Sequence, residues 1–314
     1  MPALSPATVS SLQTRILRWY RSHQRVLRWR RTRDPYHILV SEIMLQQTQV
    51  KRVEEKLPPF LSQFPTLRSL GEASAAQVIR AWRGMGYNNR AVRLRDLARE
   101  VTKSHNGKIP DALPELMDLP GIGPYTASAV ACFAYGAAVP VVDVNVERVL
   151  SRLFGRLKRQ SQHKNNKELF DLARTVLPKD AYSWNQSLMD LGSLVCTPRN
   201  PSCGECPVKA LCASRHLYTA SDANIARGTR PHRRPEPTYD GVPRRIWRGR
   251  IVEALRNVNG RGSLPVLQLG RNIKGDFRPE ETQWLLGIIS GLEKDRIVVT
   301  RGRHSSTKIR LNHA

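Results

Sequence analysis

Three groups of residues in this chain have the types and spacing to do chemistry. The first is a set of thiols, Cys196-x6-Cys203-x2-Cys206-x5-Cys212, with Pro198, Pro201 and Pro207 shaping the loop between them. Four thiolates this compact suit a tetrahedral zinc ion or a 4Fe–4S cluster, and the chemistry of the donors alone does not choose. The second is L-P-G-I-G-P-Y (119–125), an apolar turn whose glycines, Gly121 and Gly123, can take φ > 0 and bring the backbone close to a ligand. Pro124 then opens a helix at a first-turn position that tolerates proline, and the free N–H groups of such a helix start form an anion site. The third group is a pair of acids. Asp143 stands just before a helix expected over 146–154, and Glu42 falls near the apolar side of a helix expected from Tyr36 to about Lys51. A carboxyl buried there has its pKa raised, as a general acid near neutral pH requires; a surface glutamate at a helix edge is the plainer alternative. An acid at a helix entrance beside a phosphate-holding turn points to chemistry on a nucleic acid.

The charge balance points the same way. The 314 residues carry 51 Lys+Arg against 26 Asp+Glu, a net charge of +25. Such an excess opposes compaction unless a polyanion offsets it, and nucleic acid is the usual one. There is no apolar run near the ~18 residues a membrane helix needs and no apolar leader core, so no membrane role is expected and the protein is placed in the cytosol, on the nucleoid. In that reducing compartment the cysteines are read as metal ligands rather than disulfides, and Cys132 as a small core residue.

Mainly helical elements position these groups. Amphipathic helices are expected over 10–30, 60–105 in three pieces (59–64, 71–82 and 90–104), 127–135 and 155–195, with Asp34 capping the helix that Pro35 opens. Gly84 and Gly86 mark a turn before Tyr87, a natural stacking surface for a base, with core packing as the alternative. Residues 214–245, rich in Pro, Gly, Ser and Arg, read as a basic linker. Residues 246–314 read as three helices and a β-hairpin, winged-helix-like, with Arg301, Arg303, His304 and Lys308 placed on the wing.

Three runs carry a family resemblance. L-P-G-I-G-P-Y followed by Asp143 resembles the helix–hairpin–helix and catalytic aspartate of DNA glycosylases. The cysteine spacing resembles the cluster loop of endonuclease III and MutY glycosylases, which favours a 4Fe–4S cofactor. S-E-I-M-L-Q-Q-T-Q (41–49) resembles the catalytic helix of MutY-type adenine DNA glycosylases. The resemblance covers about residues 10–215. It implies a mainly α helix–hairpin–helix glycosylase over 1–213, made of a six-helix part (about 33–141) and a cluster part (1–32 plus 142–213), working as a monomer on double-stranded DNA with mismatched or damaged base pairs. By the same resemblance, Glu42 protonates a flipped adenine, Asp143 stabilises the positive sugar, and Tyr125 and Asn145 hold the site. Gln47 wedges the duplex, and Arg30, Tyr87, Gly121 and Gly123 contact DNA. Where strand-cutting relatives carry a nucleophilic lysine this chain has Tyr125, so a monofunctional enzyme that leaves an abasic site is expected.

The chain also departs from that family. Asp143-Val144-Asn145 replaces the common Asp-Gly-Asn, Gly86-Tyr87-Asn88-Asn89-Arg90 replaces Gly-Tyr-Tyr-x-Arg, and no Nudix-like Phe-Ser-His loop is present. Its tail instead resembles the short winged-helix-like end of actinobacterial MutY proteins. Thymine mismatch glycosylases share the hairpin tyrosine and a run like Trp29–Tyr36 but lack the Gln-Gln pair. A thymine/uracil glycosylase is therefore the second reading; a non-catalytic DNA-binding protein and a lyase are the others.

Overall fold

A computed structural model of the chain describes residues 5–155, 167–219 and 236–314. Its contacts divide the chain into two units. One comprises the described residues of Met1–Ile38, Asp111–Leu116 and Gly123–Arg233; the other those of Leu39–Pro110, Met117–Ile122 and Arg234–Ala314. The expected partition at 33–141 differs from this, because residues 123–141 share the first unit with the cysteine loop and the C-terminal residues share the second with the central helices. No helix among the described residues is long and apolar enough to cross a membrane.

The first unit is built on α1 (Pro6–His23), whose Leu12, Ile16 and Tyr20 recur at one-turn spacing and are buried. This face packs on α11 (Ala181–Leu194). The unit also holds α8 (Pro124–Phe133), α9 (Val144–Leu153), α10 (Lys167–Thr175) and the short α12 (His216–Thr219). Two helices run from one unit into the other: α2 (Pro35–Leu45) and α7 (Leu113–Asp118). The α2 start is as expected, with Asp34 Oδ1 accepting from the Tyr36 and His37 N–H groups at 2.8 and 3.0 Å.

In the second unit, α3 (Val50–Gln63) runs straight through Pro58 and Pro59, where a helix start is expected at Pro59. Each internal proline removes a hydrogen bond, but Val53, Leu57 and Phe60 form a buried stripe only a continuous helix presents. The helix expected over 71–82 is two, α4 (Leu67–Glu72) and α5 (Ala75–Ala81), because Ser74 and Gln77 form a capping box that starts a new helix. Both pack on α6 (Asn89–Ser104). Gly71 admits α4 to α6: a Cβ there would lie 3.1 Å from the Arg99 nitrogen.

The C-terminal part has winged-helix topology: α13 (Arg244–Arg256), β3 (Leu264–Pro265), α14 (Val266–Ile273), α15 (Thr282–Lys294), β4 (Val298–Arg301) and β5 (Lys308–Leu311), with antiparallel strand order β3-β5-β4. The strand β3 is an addition to the three helices and hairpin expected from the sequence. A ribbon, β1 (Thr238–Tyr239) and β2 (Val242–Pro243), turns at Asp240-Gly241, both at positive φ. This corrects the end of the expected linker. Residues 236–245 belong to the domain, with Tyr239 stacked 3.9 Å from Trp284 and its carbonyl accepting from Trp247 Nε1 at 3.2 Å. Residues 220–235 of the linker lie outside the described residues.

Candidate active site and nucleic-acid interface

The hairpin forms as its sequence dictates, with one difference. Gly121 takes the left-handed backbone (φ +82), whereas Gly123 is extended and stands at the N-cap of α8, with no side-chain cap. Both glycines are exposed. Pro124 occupies the first turn, and Tyr125 beside it is half-buried. The α8 N–H groups therefore begin at an exposed, uncrowded glycine, where a phosphate oxygen can approach.

Asp143 is the N-cap of α9. Its Oδ1 accepts from the Asn145 and Val146 N–H groups at 2.9 and 2.8 Å, and its Oδ2 accepts from Asn145 Nδ2 at 2.7 Å. Three donors fix the carboxylate in one orientation. Asn145 Oδ1 in turn accepts from Arg148 at 2.8 Å, and Arg148 also donates to the carbonyls of Gly192 and Cys196, both at 2.8 Å. A Cβ at position 192 would lie 2.7 Å from that of Asn145, so only glycine lets α11 come this close. Next to the acid in sequence, Val144 is 70% exposed.

One turn along the same helix, Arg152 donates to the Thr197 and Pro198 carbonyls at 2.7 and 2.8 Å and lies 3.4 Å from Cys196 Sγ. Helix α9 thus carries the aspartate at its start and two arginines that grip the cysteine loop. Sequence reading missed both arginines, since their partners lie about 45 residues away and no motif announces them.

Cys196, Cys203, Cys206 and Cys212 line one small cavity with Arg152, Lys209 and Arg215 at its rim. Burial, with smaller contributions from the other three thiols, pushes the Cys206 thiol up to about 11. Such a set ionises together only around a cationic core, which an iron–sulfur cluster supplies. The four cysteines ring one cavity, an arrangement that suits a multi-iron cluster. The residues fit a 4Fe–4S cluster, which these four cysteines would hold and which would cross-link the 196–212 loop.

In the second unit, Glu42 is buried on α2 at 5% exposure, which rules out the surface-glutamate alternative. The turn that follows presents Gln47 exposed at φ +56. Tyr87 is 50% exposed at φ +43, not packed in the core. A side chain at positive φ persists only where its neighbours over-determine it. Here the neighbour is Arg90, at 8% exposure. Its guanidinium donates to the carbonyls of Ile43 and Met44 at 2.9 and 3.1 Å, to that of Gln46, to the Thr48 hydroxyl at 3.0 Å and to the Met85 carbonyl at 3.0 Å. Burial lowers this arginine to about 10, still charged at neutral pH. One buried cation thereby closes the end of α2 and fixes both exposed turns.

Arg30 is a correction. Expected to contact DNA, it is instead 8% exposed and donates two bonds of 2.8 Å to the fully buried Asp190, which Arg25 also grips at 2.6 Å. Burial alone would raise the Asp190 carboxyl; the two arginines override it and hold the acid below the ordinary range. Asp190→Asn is expected to cost about 3–5 kcal/mol at neutral pH by stranding these charges. A carboxylate with a depressed folded pKa stabilises above its unfolded value, about 3.9, and stops doing so as pH falls through its folded value. The penalty read from urea unfolding should therefore be full at pH 7 and shrink below about pH 4.

On the wing, Arg301, Arg303, His304 and Lys308 are all exposed, as expected. Arg199, Lys209 and Arg215 are exposed around the cysteine loop.

Comparison with known proteins identifies the family. The model of the HhH-GPD superfamily of base excision DNA repair proteins matches residues 40–179, and that of the iron-sulfur binding domain of endonuclease III matches 196–212. The adenine DNA glycosylase of Mycobacterium tuberculosis is 42% identical over 246 residues, 77% of this chain and 78% of the relative. The human adenine DNA glycosylase is 39% identical over 67% of this chain and 40% of its own length. The solved structure of a thermostable thymine-DNA glycosylase superposes with a TM-score of 0.61 at 32% identity, over 66% of this chain and 96% of that one. The chain belongs to the adenine DNA glycosylase family of the HhH-GPD superfamily, with the iron–sulfur domain of endonuclease III.

Proposed function

We propose that this enzyme removes adenine mispaired with 8-oxoguanine or guanine, by monofunctional hydrolysis of the N-glycosidic bond after base flipping. Hairpin N–H groups at Gly121 and Gly123 hold a phosphate, and the +25 chain supplies the field that gathers DNA. Gln47 and Tyr87 enter the stack as the base leaves it. Glu42 gives a proton to the departing adenine, and the bond opens toward an oxocarbenium-like sugar. Asp143, fixed by its three N–H bonds, meets that positive charge, and Asn145 and Tyr125 hold the site around it. Water completes the hydrolysis. The protein acts as a monomer on chromosomal DNA.

The observation that carries this reading is the Asp143 carboxylate held by three donors, in a chain whose hairpin bears Tyr125 in place of an amine. A phenol forms no Schiff base, so the product is an intact strand with an abasic site. The expected result is strand cleavage only after alkali, with no protein–DNA adduct trapped by borohydride. A nick without alkali, or a trapped adduct, contradicts it. The second reading, thymine removal from T:G pairs, has in its favour the likeness to the thymine-DNA glycosylase structure.

A further inference from the structure

Helix α5 has both of its ends finished by C-terminal residues of its own unit. At its start, the Ala75 and Ala76 N–H groups donate to the Ala314 and Asn312 carbonyls at 3.3 and 2.6 Å. At its end, Arg256 Nε donates to the Ile79 carbonyl at 3.0 Å, Arg80 reaches the Val258 and Gly260 carbonyls at 3.2 and 3.0 Å, and Arg83 pairs with Glu253 at 2.8 Å. Between the ends, Ala75, Ala76 and Ile79 share one apolar core with Trp247, Ile251 and Leu255 of α13. The winged-helix part is therefore built into the body that carries the Tyr87 turn.

One bond reaches that turn directly. The Arg256 side chain is 6% exposed, and its NH2 donates to Asn88 Oδ1 at 2.7 Å. Asn88 stands at the N-cap of α6, where asparagine ordinarily accepts from its own helix. It makes no such bond; its side chain serves Arg256 instead. Asn88 directly follows Gly84, Gly86 and Tyr87, all left-handed, at φ +83, +66 and +43. Arg90 fixes this turn from within α6, and Arg256 fixes its exit from the C-terminal domain.

We propose that the C-terminal domain positions the extrusion turn, with Arg256 acting through Asn88 to set how Tyr87 is presented to the duplex. The proposal rests on the reading that Tyr87 enters the stack. It makes Arg256 a positioning residue, with no contact to the base. Its loss slows extrusion of the base and leaves binding to undamaged duplex, which depends on phosphates, in place.

The test uses the full chain and a duplex with 2-aminopurine at the target site, whose fluorescence rises on unstacking. Arg256→Leu and Asn88→Ala should each slow that rise about tenfold, as loss of one charge-assisted bond predicts, with affinity for undamaged duplex within about twofold. Because Arg256→Leu already removes the bond to Asn88, the double variant should be no slower than Arg256→Leu alone. Asn88→Ala leaves the Arg256 bonds to Ile79 and Glu253 untouched, so it carries the test if Arg256→Leu does not fold. Unchanged extrusion in Asn88→Ala, alongside slowed extrusion in Tyr87→Ala, overturns the proposal. Unchanged extrusion in Tyr87→Ala itself overturns the role given to Tyr87, and the proposal with it.

Discussion

Replacing Glu42 with glutamine is expected to lower the rate of base release about 10²–10⁴-fold, the usual worth of a positioned proton donor. The substitution keeps volume and polarity at a buried position on α2. The end of that helix is held by Arg90 through the Ile43 and Met44 carbonyls, so the backbone has no reason to move. What is lost is the transferable proton: an amide can donate a hydrogen bond to adenine but cannot protonate it as it leaves. Single-turnover excision together with duplex binding separates the cases. Slow chemistry with unchanged affinity is the expected result. Excision within tenfold of the parent enzyme would make Glu42 a structural residue.

Asp143→Asn is expected to lower single-turnover excision about 10²–10³-fold, the range for removing one group aimed at developing charge. Asparagine caps helices as well as aspartate does, so the Asn145 and Val146 N–H bonds should survive through its carbonyl oxygen. The negative charge does not survive. The second carboxylate oxygen now accepts from Asn145 Nδ2, and an amide nitrogen there would set donor against donor. If Asn145 turned over to relieve this, it would lose its bond from Arg148. Rate should therefore collapse while the unfolding free energy falls by about 1–3 kcal/mol, the cost of that one lost bond. A variant that unfolds, or that keeps its rate, contradicts the electrostatic role.

Local signals were legible in the sequence and distant partners were not. The Asp34-Pro35 start, the glycine hairpin, the Pro124 helix and the four-cysteine loop are each written in fewer than about twenty consecutive residues, and each is where its residues place it. Arg30 could be read as a cation but not as a buried one, because Asp190 lies 160 residues away. The Arg256–Asn88 bond spans 168 residues and has no local sign. Two other misses had local signs that went unused. Ser74-x-x-Gln77 is a capping box inside what reads as a single helix, and Asp240-Gly241 is a hairpin turn inside a stretch whose prolines and arginines read as linker. Helix α3 is a different case. The rule that proline stops a helix is sound locally, and the buried Val53–Leu57–Phe60 face outweighs it.

The most direct test of adenine removal is incubation of the enzyme with duplexes bearing A:8-oxoguanine, A:G and T:G pairs, followed by alkali and measurement of cleavage on each strand. The account predicts cleavage at the adenine opposite 8-oxoguanine or guanine, none at the thymine, and cleavage at adenine at least about 10²-fold slower in the Glu42→Gln enzyme. Cleavage at the thymine of the T:G duplex, with adenine left intact, would contradict it and put the thymine reading in its place.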